Sequence, residues 1–150
     1  MNSGFIFTSI LLICSSVFAQ QHPSTGEIRH LENFPSRFVD ARNVDVWLPQ
    51  NYTPKKKYAV LYMHDGQMLF DSATTWNHQE WGVDETLGKL MQEKKIRDCI
   101  VVGIWNNGEK RHAEYFPQKA IDNIPEKEKT ELMKWLPNGP MADNYLKFLV

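Results

Sequence analysis

The sequence predicts an α/β fold from two continuously apolar runs and an amphipathic segment lying between them. Tyr58 to Met63 (YAVLYM) and Ile100 to Trp105 (IVVGIW) carry no charged side chain, the pattern of strands covered on both faces. Between them Val83, Leu87, Leu90 and Met91 fall at i, i+4, i+7 and i+8, one stripe of a helix. Strand, helix, strand in that order makes a βαβ unit, with a parallel pair and a right-handed crossover.

The remaining elements follow along the chain. Val44 to Leu48 (VDVWL) alternates and is stopped by Pro49, so it reads as a strand with one exposed face. Ile28 to Phe34 is an additional edge strand before it. The segment TPKKK is a solvated turn leading into the first apolar run, and a loop from His64 to Gln79 leaves that run. The helix that follows ends near Lys94 and Lys95, where cations suit the negative end of the dipole. Beyond Asn106 the chain reads as loop as far as Asn123. Glu126 to Leu136 is then a short, highly charged surface helix after Pro125. Ala142, Tyr145, Leu146 and Leu149 lie at i, i+3, i+4 and i+7, an amphipathic helix still running at Val150, and a helix of that kind in an α/β chain should lead into another strand. The chain is expected to be an N-terminal portion, with a parallel sheet edge open beside Ile100 to Trp105.

The composition excludes several classes. Of 150 residues 42% are hydrophobic and 23% charged, and 17 Lys and Arg stand against 18 Asp and Glu for a net charge of -1. Disordered, collagenous and coiled-coil chains look different. The balance gives no broad positive field for nucleic acid or an anionic membrane. Phe5 to Phe18 is uncharged and apolar and ends in Val17-Phe18-Ala19. It is too short to span a bilayer, and its small residues fit a signal peptide over residues 1–19, cleaved after Ala19. Residues 20–150 are then the folded, exported part. Cys14 leaves with the signal, and Cys99, opening an apolar run, is a small buried thiol.

Ligands of open α/β sheets gather beyond the carboxyl ends of strands. Two loops leave such ends: His64-Asp65-Gly66-Gln67-Met68-Leu69-Phe70 and Asn106-Asn107-Gly108-Glu109-Lys110-Arg111. His64, Asp65 and His78 could be drawn as a metal trio, but adjacent residues of a strand point apart, and His64 reads as a structural histidine.

YAVLYMHDGQMLFD resembles the strand-and-loop block of the esterase branch of the α/β-hydrolase superfamily. That branch contains esterase D, enterochelin esterases, feruloyl and acetylxylan esterases and mycolyltransferases. The blocks RNVDVWLPQNY, WGVDETLGKL, IVVGIWNNGEKRHAEYFP and ADNYLKFLV agree in order, so the resemblance covers roughly residues 26–150. It implies the first part of a three-layer αβα hydrolase with a mostly parallel sheet. It also implies a serine esterase using Ser, an acid and His, needing no cofactor and no metal. Its substrate would be a siderophore, carbohydrate or small-molecule ester. No Gly-x-Ser-x-Gly occurs in these 150 residues. His22-Pro23-Ser24-Thr25-Gly26 lacks the first Gly, and it reads as linker. The triad is therefore expected beyond Val150, leaving this polypeptide without nucleophile, base or acid. A non-catalytic binding protein reusing the front half of the fold is the alternative.

By the same resemblance one oxyanion donor is the backbone N–H of Gln67, with Gly66 allowing the main chain close approach to the substrate oxygen. Trp76 and Trp81 either line an acyl or sugar subsite or belong to the core. Arg111 and Glu114 fit the R-x-x-E-Y block; Arg111 either contacts substrate or forms an ion pair bracing its loop.

Overall fold

The computed structural model describes residues 21–136 and 139–150; the expected signal peptide lies outside them. Four strands form one mixed sheet in the order β1-β2-β4-β3, where β1 is Glu27–Phe34, β2 Arg42–Leu48, β3 Ala59–His64 and β4 Cys99–Ile104. Strands β1 and β2 pair antiparallel, as do β2 and β4, and β3 runs parallel to β4. Helix α1 (Val83–Gln92) connects the parallel pair, which is the βαβ unit expected from the two apolar runs.

Successive strand residues face opposite sides, and each face of the sheet has its own core. On one, Trp47, Leu69, Phe70 and Val101 are fully buried with Ile28 and Val83, and Leu87 and Met91 of α1 pack against them. On the other, Val39, Ile104 and Tyr145 are buried, and the half-buried Phe148 and Leu149 pack against them; Tyr145, Phe148 and Leu149 come from α5 (Ala142–Leu149). Burying one such large apolar side chain contributes roughly 2 kcal/mol. A third cluster of Ala113, Ile121 and Leu136 packs under α2 (Arg111–Tyr115), α3 (Gln118–Ile121) and α4 (Glu126–Met133).

The structure differs from the sequence reading in four places. β3 was expected to be covered on both faces; among the described residues it is the edge strand, and its Val60, Leu61 and Tyr62 are exposed. The open parallel edge accordingly belongs to β3, whereas β4 is interior. β2 was expected to expose one face, yet nearly all of it is buried, because both faces are covered: Trp47 lies in the core that α1 packs against, and Arg42, on the opposite face, lies under α2 and α5. Its Asp45 survives fully buried by accepting from Trp105 Nε1 at 2.5 Å and pairing with His30 Nδ1 at 2.6 Å. Residues 108–121 were read as loop but contain a 3-10 turn, α2 and α3. Helix α1 also stops at Gln92, before Lys94, which takes a positive φ of 56°.

Two buried polar ties hold the layers. The Arg42 guanidinium forks onto Glu114 at 2.7 and 2.8 Å with both side chains buried, joining β2 to α2; Tyr145 and Phe148 of α5 lie against that guanidinium. At the other face an N-terminal strap, residues 21–26, is pinned to α1: Asp84 Oδ2 accepts from Thr25 N–H at 2.9 Å, and Thr25 Oγ1 donates to the Asp84 carbonyl at 3.1 Å. Trp47 Nε1 donates to the Thr25 carbonyl at 2.7 Å. Asp84 is completely buried, and its Oδ1 has no partner among the described residues. Burial without a cation, aggravated by neighbouring Glu85, pushes its carboxyl up to about 6, while a Ser24 hydrogen bond holds Glu85 low.

Candidate functional site

The loop leaving β3 turns immediately. Asp65 takes the left-handed conformation (φ 55°, ψ 45°), and Gly66–Met68 form one turn of 3-10 helix. A non-glycine residue there costs about 1–2 kcal/mol, with Asp among those that tolerate it best. Met68 N–H donates to the Asp65 carbonyl at 2.8 Å, closing the turn. The first N–H groups of a helical turn have no partner within it, and no described residue accepts from the Gln67 N–H. The Gln67 amide is thus a backbone donor with no partner among the described residues, just beyond the carboxyl end of β3.

Gly66 is buried under this turn. A Cβ at Gly66 would stand 2.6 Å from the carbonyl carbon and oxygen of Gly103 and 2.9 Å from the Ile104 nitrogen, all backbone atoms of β4. Its lack of a side chain therefore serves the approach of the loop to β4, a constraint separate from any approach to substrate. A Cβ at Gly103 would in turn meet Leu69 Cδ1 at 2.9 Å and Gly66 Cα at 3.2 Å.

The second loop, after β4, fastens the first. Arg111, which opens α2, forks onto Asp65 with Nε–Oδ1 at 2.8 Å and Nη2–Oδ2 at 2.7 Å. Asn106 Nδ2 donates to Oδ1 at 2.7 Å, and the Tyr115 hydroxyl approaches the same oxygen at 3.4 Å. Asn106 also donates its backbone N–H to Gln67 Oε1 at 3.2 Å, while Gln21 Nε2 donates to the Gly66 carbonyl at 3.3 Å. Asp65 is only 5% exposed; Arg111 beside it, with help from Asn106, holds its carboxyl below the usual range despite burial. Burial and the Asp65 charge push the Tyr115 phenol up to about 12, so it stays a donor.

Of the sequence-predicted residues, the fold brings Gly66, Gln67 and Arg111 together through Asp65 and Asn106. Arg111 forms an ion pair that braces its loop, with Asp65 as the partner, while its side chain stays 39% exposed; Glu114 is taken by Arg42. Trp76 and Trp81, in the segment before α1, are 84% and 53% exposed among the described residues. His64 Nδ1 lies 3.0 Å from the Tyr145 hydroxyl, its ring against Tyr115 and Tyr145. With those tyrosines and Leu146 it lines a largely apolar cavity of about 570 Å³ between α2, α3 and α5. His78 sits in an exposed turn with φ 54°, and no group of three His, Cys, Asp or Glu among the described residues could hold a metal ion. Cys99 is buried and its thiol is pushed up by burial. Sequence reasoning passed over the hub role of Asp65 and Asn106. The available signal was an Asp-Gly pair at a strand end, which marks a left-handed turn needing polar support.

Residues 36–149 match the family model described as Putative esterase. Among solved structures the chain is similar to a CE1 ferulic acid esterase, AmCE1/Fae1A, from Anaeromyces mucronatus, in complex with ferulic acid. The identity is 16% and the TM-score 0.42, over 81% of this chain and 48% of that one. It is also similar to a protein called FAE, at 21% identity and a TM-score of 0.40, over 79% and 42% of the two chains. The chain thus spans less than half the length of either structure. Among curated proteins none matches. Since the family model takes in most of the sequence, including both loops at the carboxyl ends of β3 and β4, the chain belongs to the Putative esterase family.

Proposed function

We propose that these residues are the front part of an exported serine esterase acting on a siderophore, carbohydrate or small-molecule ester, and that they supply one of its two oxyanion donors. In such an enzyme the carbonyl oxygen of the ester becomes negatively charged when Ser attacks, and backbone N–H groups aimed at it lower the barrier. The observation that carries this reading is the Gln67 N–H, without a partner among the described residues and held just past the end of β3 on a turn anchored to β4 and to Arg111. The family membership supports an esterase-like hydrolase. The exposed Trp76 and Trp81 offer flat apolar faces suited to an aromatic acyl group or a sugar ring.

The polypeptide of 150 residues has one donor of the pair and no Gly-x-Ser-x-Gly, so it is expected to be inert alone. The test is p-nitrophenyl acetate hydrolysis by the purified chain. No turnover above buffer is expected, and turnover abolished by a serine-directed phosphonate would overturn the reading. Export is tested by N-terminal sequencing of the processed protein, which should begin at Gln20.

A further inference from the structure

We infer that Asp65 is a positioning residue: its carboxylate, locked by the Arg111 fork and Asn106, holds the left-handed turn that presents the Gln67 N–H. This rests on the oxyanion reading of Gln67 and adds the device that aims it. Three observations converge. The backbone at Asp65 is in a conformation that costs energy unless its surroundings impose it. The same residue's carboxylate accepts from Arg111 twice and from Asn106, three charge-assisted bonds of 2.7–2.8 Å, and such bonds are the stronger kind. Asn106 in addition grips Gln67 itself through its backbone N–H. The turn therefore cannot relax to a right-handed or extended form without breaking the Arg111 fork.

The second loop consequently governs the first. Arg111 and Asn106 stand 46 and 41 residues away from Asp65 in sequence, yet the direction of one amide depends on them. Gly103 below and the Gln21 side chain above limit the remaining movement. The hub tolerates no simple exchange: Lys at 111 keeps the charge but loses the fork.

Amide hydrogen exchange of the 150-residue chain tests this, because the Met68 N–H bonds to the Asp65 carbonyl and reports closure of the turn. Arg111→Gln should speed exchange at Met68 about tenfold, and Arg111→Lys by less. Amides of Leu87 in α1 and Val101 in β4 should stay within about twofold. Unchanged exchange at Met68 overturns the inference, as does equal acceleration at all three amides, which would mark a merely structural ion pair. Should Arg111→Gln not fold, Asn106→Ala serves instead, with about threefold faster exchange expected at Met68 alone and no change counting against. No ester is involved, so this outcome is independent of whether Gln67 proves to be an oxyanion donor, which kinetics of Gln67 and Gly66 variants in an active protein would decide.

Discussion

Asp65 and Asp84 are almost equally buried, at 5% and 0% exposed, and their carboxyl groups are driven in opposite directions. Asp65 receives a guanidinium fork and an amide, which hold it low. Asp84 receives one backbone N–H, keeps one oxygen unpaired and faces Glu85, so it rises to about 6. Burial alone favours the neutral acid; a cation in contact reverses it. The two therefore serve different ties: one between the two loops at the carboxyl ends of the strands, whose carboxyl is held below the usual range, and one between the N-terminal strap and α1, whose carboxyl is raised.

Opposite pH slopes follow. For Asp65 the native value lies below that of the unfolded chain, so its contribution is present above about pH 4 and is lost as pH falls through the native value. For Asp84 the native value lies above the ordinary 3.8; its contribution is present below that pH and is lost as pH rises toward 6. Glu85, held low, opposes it.

The largest effect should come from filling the space beneath the Asp65 turn. Gly66→Val drives a side chain into the β4 backbone and should cost about 3 kcal/mol or more in urea unfolding; a loss under 1 kcal/mol would mean that the loop lifts off freely. Arg111→Met, which strips Asp65 of its cation, should cost about 2 kcal/mol at pH 7, less than for a fully buried pair because Arg111 is partly exposed. Treating Asp84 the opposite way should help: Asp84→Asn is expected to gain about 1 kcal/mol at pH 7.5 and nothing at pH 4, read from unfolding midpoints at the two pH values. Smallest is Gln67→Ala, which removes only the acceptor for the Asn106 N–H, at about 1 kcal/mol or less in the same assay.

The βαβ unit and its parallel pair were legible because apolar runs and a helical stripe are local patterns. In α5 the spacing holds for Ala142 and Tyr145, which are buried, and for Leu149, which packs against the same core half-buried, but Leu146 of the same stripe is exposed. What a strand's own residues do not encode is how many neighbours it has. Val60, Leu61 and Tyr62 look like a covered strand yet lie at an edge, and Asp45 looks like a solvent-facing position yet has His30 and Trp105 waiting for it. The Gly66 and Gln67 loop was placed by resemblance to a family. Its supports were not, because Asp65 with Arg111 and Arg42 with Glu114 join residues 46 and 72 apart whose pairing no periodicity announces. The short helices between residues 108 and 121 were missed because each is too brief to show a stripe.

The Gly66–Gly103 contact also bears on how such a chain could change over generations. Each position excludes a side chain at the other's expense, since the first methyl added at Gly66 meets β4 backbone and the first added at Gly103 meets Leu69 and Gly66. A lineage moving by single replacements finds the first step at Gly66 uphill, because only backbone stands in its way, whereas at Gly103 the cost is set by how far the end of the Leu69 side chain can shift. Gly66 is left only by shifting the loop or the strand itself, so it acts as a historical anchor for the turn it supports.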